Sequence, residues 1–155
     1  MENREAFAET LNDLVQINND RIVGYEKAMH ELKDEDADLK ALFVDMIHES
    51  HNIKMALSTE LNVLGTKTDS GTTSIGKIYR VWMDVKAALT GKDRKAILNS
   101  CEYGEDQAKD TYEKALENEK EHLSMEQQTM IKAQHALLRV DHDKVKSMRD
   151  LAMAD

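Results

Sequence analysis

Gly24-Tyr25-Glu26-Lys27-Ala28-Met29 returns as Thr111-Tyr112-Glu113-Lys114-Ala115-Leu116, and this near-repeat decides the fold. Each copy lies late in a long helical pattern, and each is followed by a second long helix. A chain that writes one helical hairpin twice describes a four-helix bundle with approximate internal two-fold symmetry.

Apolar residues at spacings of three and four carry the pattern outward from the repeat. The first helix is expected over 3–33, on Leu11, Leu14, Val15, Asn18, Ile22, Tyr25, Met29 and Leu32. A second is expected over 36–64, with Asp36 as N-cap and Gly65 as C-cap. Two more follow over 93–117 and 125–152, the last opened by the capping box Ser124-Met125-Glu126-Gln127. Its expected core stripe is Ile131, His135, Leu138, His142 and Val145.

Between the two hairpins the chain must travel the length of the bundle, since helices of about 28 residues are about 42 Å long. The loop 65–73 reaches at most about 30 Å. A helix over 74–90, carrying Ile75, Ile78, Tyr79, Trp82, Val85 and Leu89, adds about 24 Å. The expectation is one all-α domain over 1–155, with up-down-down-up topology and a short extra helix in its long crossover.

Charge narrows the partners. With 21 Lys+Arg against 30 Asp+Glu, the net charge of −9 repels nucleic acid and anionic membrane. The single cysteine excludes an internal disulfide and fits a reducing compartment. The opening residues Met1 to Glu5 are polar, without a secretory-type apolar run. A cytoplasmic protein is expected, with neither nucleic acid nor membrane as partner.

Leu11-Asn12-Asp13-Leu14, Gly24 to Ala28 and above all Trp82-Met83-Asp84-Val85-Lys86-Ala87-Ala88-Leu89-Thr90-Gly91 resemble a bacterial family. Its members are ferritin-like four-helix bundles described as a domain of unknown function. Cys101 to Asp106 and His142-Asp143-Lys144-Val145 match its pattern too, so the resemblance runs from about Leu11 to Arg149. It implies a ferritin-like fold and a bacterial source, and brings no activity or ligand.

A carboxylate-bridged di-metal centre on such a bundle takes one Glu from each of two helices and a Glu-x-x-His pair from each of the others. In the second helix Glu49 is followed at the partner position by Asn52. In the last helix, Lys132 and Arg139 stand where His135 and His142 need a glutamate. The motif fails on both helices, so no metal or other cofactor is expected. Were iron or manganese bound at a degenerate site, its candidate ligands are Glu26, Glu49, Glu105, His135 and His142. Glu26 sits at the edge of its stripe, whereas Glu105 lies between Cys101 and Ala108 on the core stripe. The helical rise brings Glu105 within about 3 Å of the level of His135, and a buried Glu105–His135 pair is expected. Tyr25 and Tyr112 read as core aromatics with hydroxyl partners, and Cys101 as a small buried hydrophobe.

Val44, His48, His51 and Met55, with Ile47 beside them, give the second helix another stripe away from the core. Such a helix packs on two neighbours. The candidate interface joins these five residues to Tyr79 and Trp82, within the chain or across a homodimer or other oligomer. The expected function is therefore a non-catalytic, structural or protein-interaction role, in stress physiology by analogy with other ferritin-like proteins. The alternative is a metal-binding bundle. A DNA-protecting shell is disfavoured by the acidic charge.

Overall fold

The computed structural model describes residues 2–63, 94–118, 121 and 123–154. They form four long helices: α1 (Glu2–Glu31), α2 (Ala37–Val63), α3 (Arg94–Asn118) and α4 (Met125–Ala154). A 3-10 turn, Asp34–Asp36, joins α1 to α2. Among the described residues there is no strand, and no helix is long and apolar enough to cross a membrane.

Helix α1 packs along α2, α3 along α4, and α1 along α3. Two polar contacts give the directions. Arg94, at the start of α3, donates to Asp36 at 3.1 Å and to Asp38 at 2.9 Å, both at the start of α2. Gln127, at the start of α4, reaches Glu60 near the end of α2 at 3.5 Å. So α2 and α3 run one way and α1 and α4 the other, an up-down-down-up four-helix bundle. The end of α2 and the start of α3 lie at opposite ends of it. The expected crossover helix over 74–90, with the Gly65 cap, lies outside the described residues.

The helix ends follow local chemistry. The Ser124 amide donates to Gln127 Oε1 at 2.8 Å, and the Gln127 amide donates to Ser124 Oγ at 3.1 Å. That reciprocal box satisfies two amides that the first turn of α4 leaves unpaired. Asp36 acts differently from the N-cap expected of it. It closes the 3-10 turn, its Oδ2 accepting from the Lys33 amide at 3.3 Å, while Oδ1 takes the Arg94 guanidinium. Asp38 takes the same guanidinium, whose hydrogen bond holds its carboxyl down at about 2.

The core is two apolar clusters rather than one. One gathers Leu11, Leu14, Leu57, Leu61, Tyr112 and Leu138 with their neighbours. The other gathers Tyr25, Leu39, Phe43, Leu98, Cys101 and Val145. Across the second, the Tyr25 and Phe43 rings tilt at 43° with centroids 5.2 Å apart, bonding α1 to α2. Each helix contributes to both clusters, and between them each passes through a polar level.

Breaking the α4 box is a local test of this account. Ser124→Ala should cost about 1 kcal/mol in urea unfolding with the slope of the transition unchanged. A cost near zero would mean the first turn of α4 does not depend on the box.

Candidate functional site

On α1 the buried positions Leu11, Leu14, Asn18, Tyr25 and Ala28 recur at spacings of three, four and seven. Arg21 fills the remaining place in that series, and its side chain is fully buried. Helices α2, α3 and α4 bring Ser50, Glu105 and Asp141 inward on the same periodicity, and Glu49 stands half-buried beside them. A guanidinium cannot shed its proton at any ordinary pH. Its burial is tolerable only with carboxylates and hydrogen bonds around it.

They are supplied by every helix. Arg21 Nε donates to Glu105 Oε1 at 3.0 Å, one terminal nitrogen donates to Asp141 Oδ2 at 2.9 Å, and the other donates to Asn18 Oδ1 at 3.2 Å. Glu49 Oε1 stands 3.7 Å from the nitrogen that holds Asp141. The Tyr25 hydroxyl donates to the same Glu105 oxygen at 2.5 Å. Asn18 Nδ2 donates to Leu14 O and to the Tyr112 hydroxyl, which donates in turn to Gln134 Oε1 at 2.8 Å. One connected network crosses the bundle.

One guanidinium thus meets three carboxyl groups, so the level carries surplus negative charge unless it also holds protons. Burial pushes the Glu105 carboxyl upward against the pull of Arg21 and Tyr25. Glu49 is pushed up to about 8, first by burial and then by its contact with Asp141. Protonated, Glu49 can donate to Asp141 and relieve the repulsion between them. Burial, with Glu105 alongside, also lifts Tyr25 well above the ordinary tyrosine value, so its hydroxyl stays a donor.

A family model matches residues 6–118, the stretch that supplies Asn18, Arg21, Tyr25, Glu49, Glu105 and Tyr112. The chain belongs to the family described as Domain of unknown function (DUF2383). The DUF2383 match spans α1, α2 and α3 and stops before Gln134 and Asp141 on α4. No curated protein matches the chain.

Of the candidate ligands named from sequence in this DUF2383 chain, Glu105 and Glu49 meet in the Arg21 network, where Tyr25 and Tyr112 also find their hydroxyl partners, and Glu26, His135 and His142 lie elsewhere. Glu26 is exposed on α1. His135 is not the partner of Glu105: it stands half-buried, 3.2 Å from Glu113 on α3. His142 also leaves the core stripe, lying at the α3/α4 seam beside Glu102 and Asp106. The inward residues of α4 are their predecessors in sequence, Gln134 and Asp141. One residue is about 100° around a helix, enough to exchange a buried position for a flank. On α2, Val44, His48, His51 and Met55 are exposed, while Ile47 packs against the second apolar cluster. Tyr79 and Trp82 lie outside the described residues. Arg21, Gln134 and Asp141 are the site residues that sequence reasoning missed. The signal was position: Arg21 falls three after Asn18 and four before Tyr25, inside the stripe.

Removing the cation alone should be costly. Arg21→Leu strands Glu105 and Asp141 and is expected to lose about 3–5 kcal/mol in urea melts. Adding Glu105→Leu and Asp141→Leu should restore most of it. A triple variant no more stable than the single one would show that the network contributes more than charge balance.

Glu49 makes the stability depend on pH. In the folded chain it keeps its proton up to about pH 8, against an ordinary 4.5 when unfolded. Folding therefore takes up a proton between those values, and this contribution, complete below about 4.5, declines as pH rises to about 8. Wild-type Tm should fall across that window, and Glu49→Gln should fall less. Parallel melting curves for the two would sink this assignment.

Proposed function

We propose that this chain is a ferritin-like bundle of non-catalytic, structural or protein-interaction role. One observation carries the reading: the guanidinium of Arg21 occupies the level where carboxyl groups of α2, α3 and α4 converge. A di-metal centre needs those carboxylates to face a shared open space. Here they face a fixed cation, and the residues present do not fit a metal pair. Among the described residues, the His, Cys, Asp or Glu groups of three or more whose donor atoms come close enough to share an ion do not include these carboxyl groups.

The fully buried members of the network offer no reacting group that a substrate can reach. Tyr25 stays protonated, Glu105 is committed to Arg21 and Tyr25, and Cys101 is buried in an apolar cluster. Nucleophilic or acid–base catalysis needs a group that a substrate can reach.

The surface supports an interaction role. Val44 and Met55 on α2, and Leu137, Val140 and Leu151 on α4, expose apolar side chains. An open groove between these helices is lined by Leu42, Val140 and Met148 together with Asp38, Asp143 and Lys144. Such surface is what a helix or a partner protein covers. Oligomer formation, a bacterial source and a role in stress physiology belong to the same reading.

Iron chemistry is the direct test. Ferrous iron added aerobically to the purified chain should oxidise no faster than in buffer, with no difference between wild type and Glu105→Ala. Oxidation accelerated by the wild type and abolished in Glu105→Ala would overturn the proposal and make the interior a working metal centre.

A further inference from the structure

We infer that the seam between α3 and α4 holds a divalent transition-metal site, of the zinc class, formed by Glu102, Asp106 and His142. These residues lie outside the Arg21 network. Glu102 and Asp106 are four apart on α3, so their carboxylates share a face on consecutive turns. His142 meets them from α4.

The donor atoms are already gathered. His142 Nε2 lies 2.7 Å from Asp106 Oδ1 and 3.8 Å from Glu102 Oε1. One atom from each of the three falls within 4.8 Å of the others. Donors at metal bonds of about 2.0–2.1 Å in a tetrahedral shell are about 3.3 Å apart. The two His142 separations bracket that value.

The surroundings are those of a ligand set. His142 Nδ1 lies 3.3 Å from Asp143 Oδ1, and Arg149 donates to the second oxygen of Glu102. A carboxylate on the far nitrogen of a histidine fixes the tautomer that turns Nε2 toward a metal. At 2.7 Å, His142 Nε2 and Asp106 Oδ1 can share either the imidazole proton or a bound cation. Imidazole nitrogen with two carboxylate oxygens suits zinc, and three protein donors leave a position for water. The side chains of Glu102 and His142 are only 14% and 13% exposed, and Asp106, at 44%, opens the cluster to solvent. A metal here would pin α3 to α4.

The test is zinc alone, titrated by calorimetry into full-length chain freed of metal by chelator and then of chelator. One equivalent should bind the wild type, and the bound form should melt higher than the free form. His142→Ala and Asp106→Asn should abolish binding, and Asp143→Asn should weaken it about tenfold. His48→Ala/His51→Ala, which removes exposed histidines of α2, should leave it intact. No binding up to millimolar zinc, or binding unchanged in His142→Ala, would overturn the site. Binding lost in Glu105→Ala but kept in His142→Ala would move the metal to the interior and overturn the proposed function as well.

Discussion

A permanent positive charge at the centre of an apolar bundle is the constraint from which the rest of this structure follows. The guanidinium of Arg21 must be met by acceptors at fixed positions in its plane, because its donors form a rigid fork. Leucine contacts tolerate a helix sliding by a turn; a fork does not. Glu105 fixes the level of α3 against α1, and Asp141 that of α4. The apolar clusters on either side provide the stabilising burial. The polar level between them sets the register, as single polar positions do in coiled coils.

The same charge explains the unusual state of its neighbours. Glu105 spends one oxygen on both Arg21 and Tyr25, and its other oxygen has no donor among the described residues. Glu49 likewise leaves Oε1 without a hydrogen-bond donor there and lies against Asp141. A single cation cannot neutralise three carboxyl groups, which favours the protonated form of a carboxyl here, and burial with Asp141 alongside pushes Glu49, at the rim of the level, in that direction. Outside this level, the α3/α4 seam presents metal-type donors, and the α2/α4 groove presents apolar surface.

How much of this the sequence reveals depends on what each residue's type says about its place. The helices and their topology were legible, because the apolar spacings, the Tyr25/Tyr112 repeat and the Ser124–Gln127 box are all local signals. Glu105 was legible as buried, since Cys101 and Ala108 flank it on one stripe. Arg21 was not. A charged residue in a core position reads as surface unless its partners are known, and they lie on α3 and α4, far along the chain. His135 and His142 failed through one step of the wheel. Gln134 and Asp141, polar residues at true core positions, made their histidine neighbours look like the better members of the stripe. Both errors have one source: buried polarity is a tertiary fact.

The internal repeat gives the network its form. The shift that carries Tyr25 onto Tyr112 carries Asn18 onto Glu105 and Arg21 onto Ala108. Both tyrosine hydroxyls obey the implied two-fold, Tyr25 bonding Glu105 and Tyr112 bonding Asn18 across the bundle. A symmetric interior would set identical residues opposite one another, as a paired metal centre requires. This chain breaks the symmetry at two places at once. Asn18 has an amide where its repeat mate Glu105 has a carboxylate, and Arg21 has a guanidinium where its repeat mate Ala108 has a methyl group. The two departures are complementary in charge, since the guanidinium finds a carboxylate in Glu105 and an amide acceptor in Asn18. A bundle built this way carries its central cation in its own covalent structure.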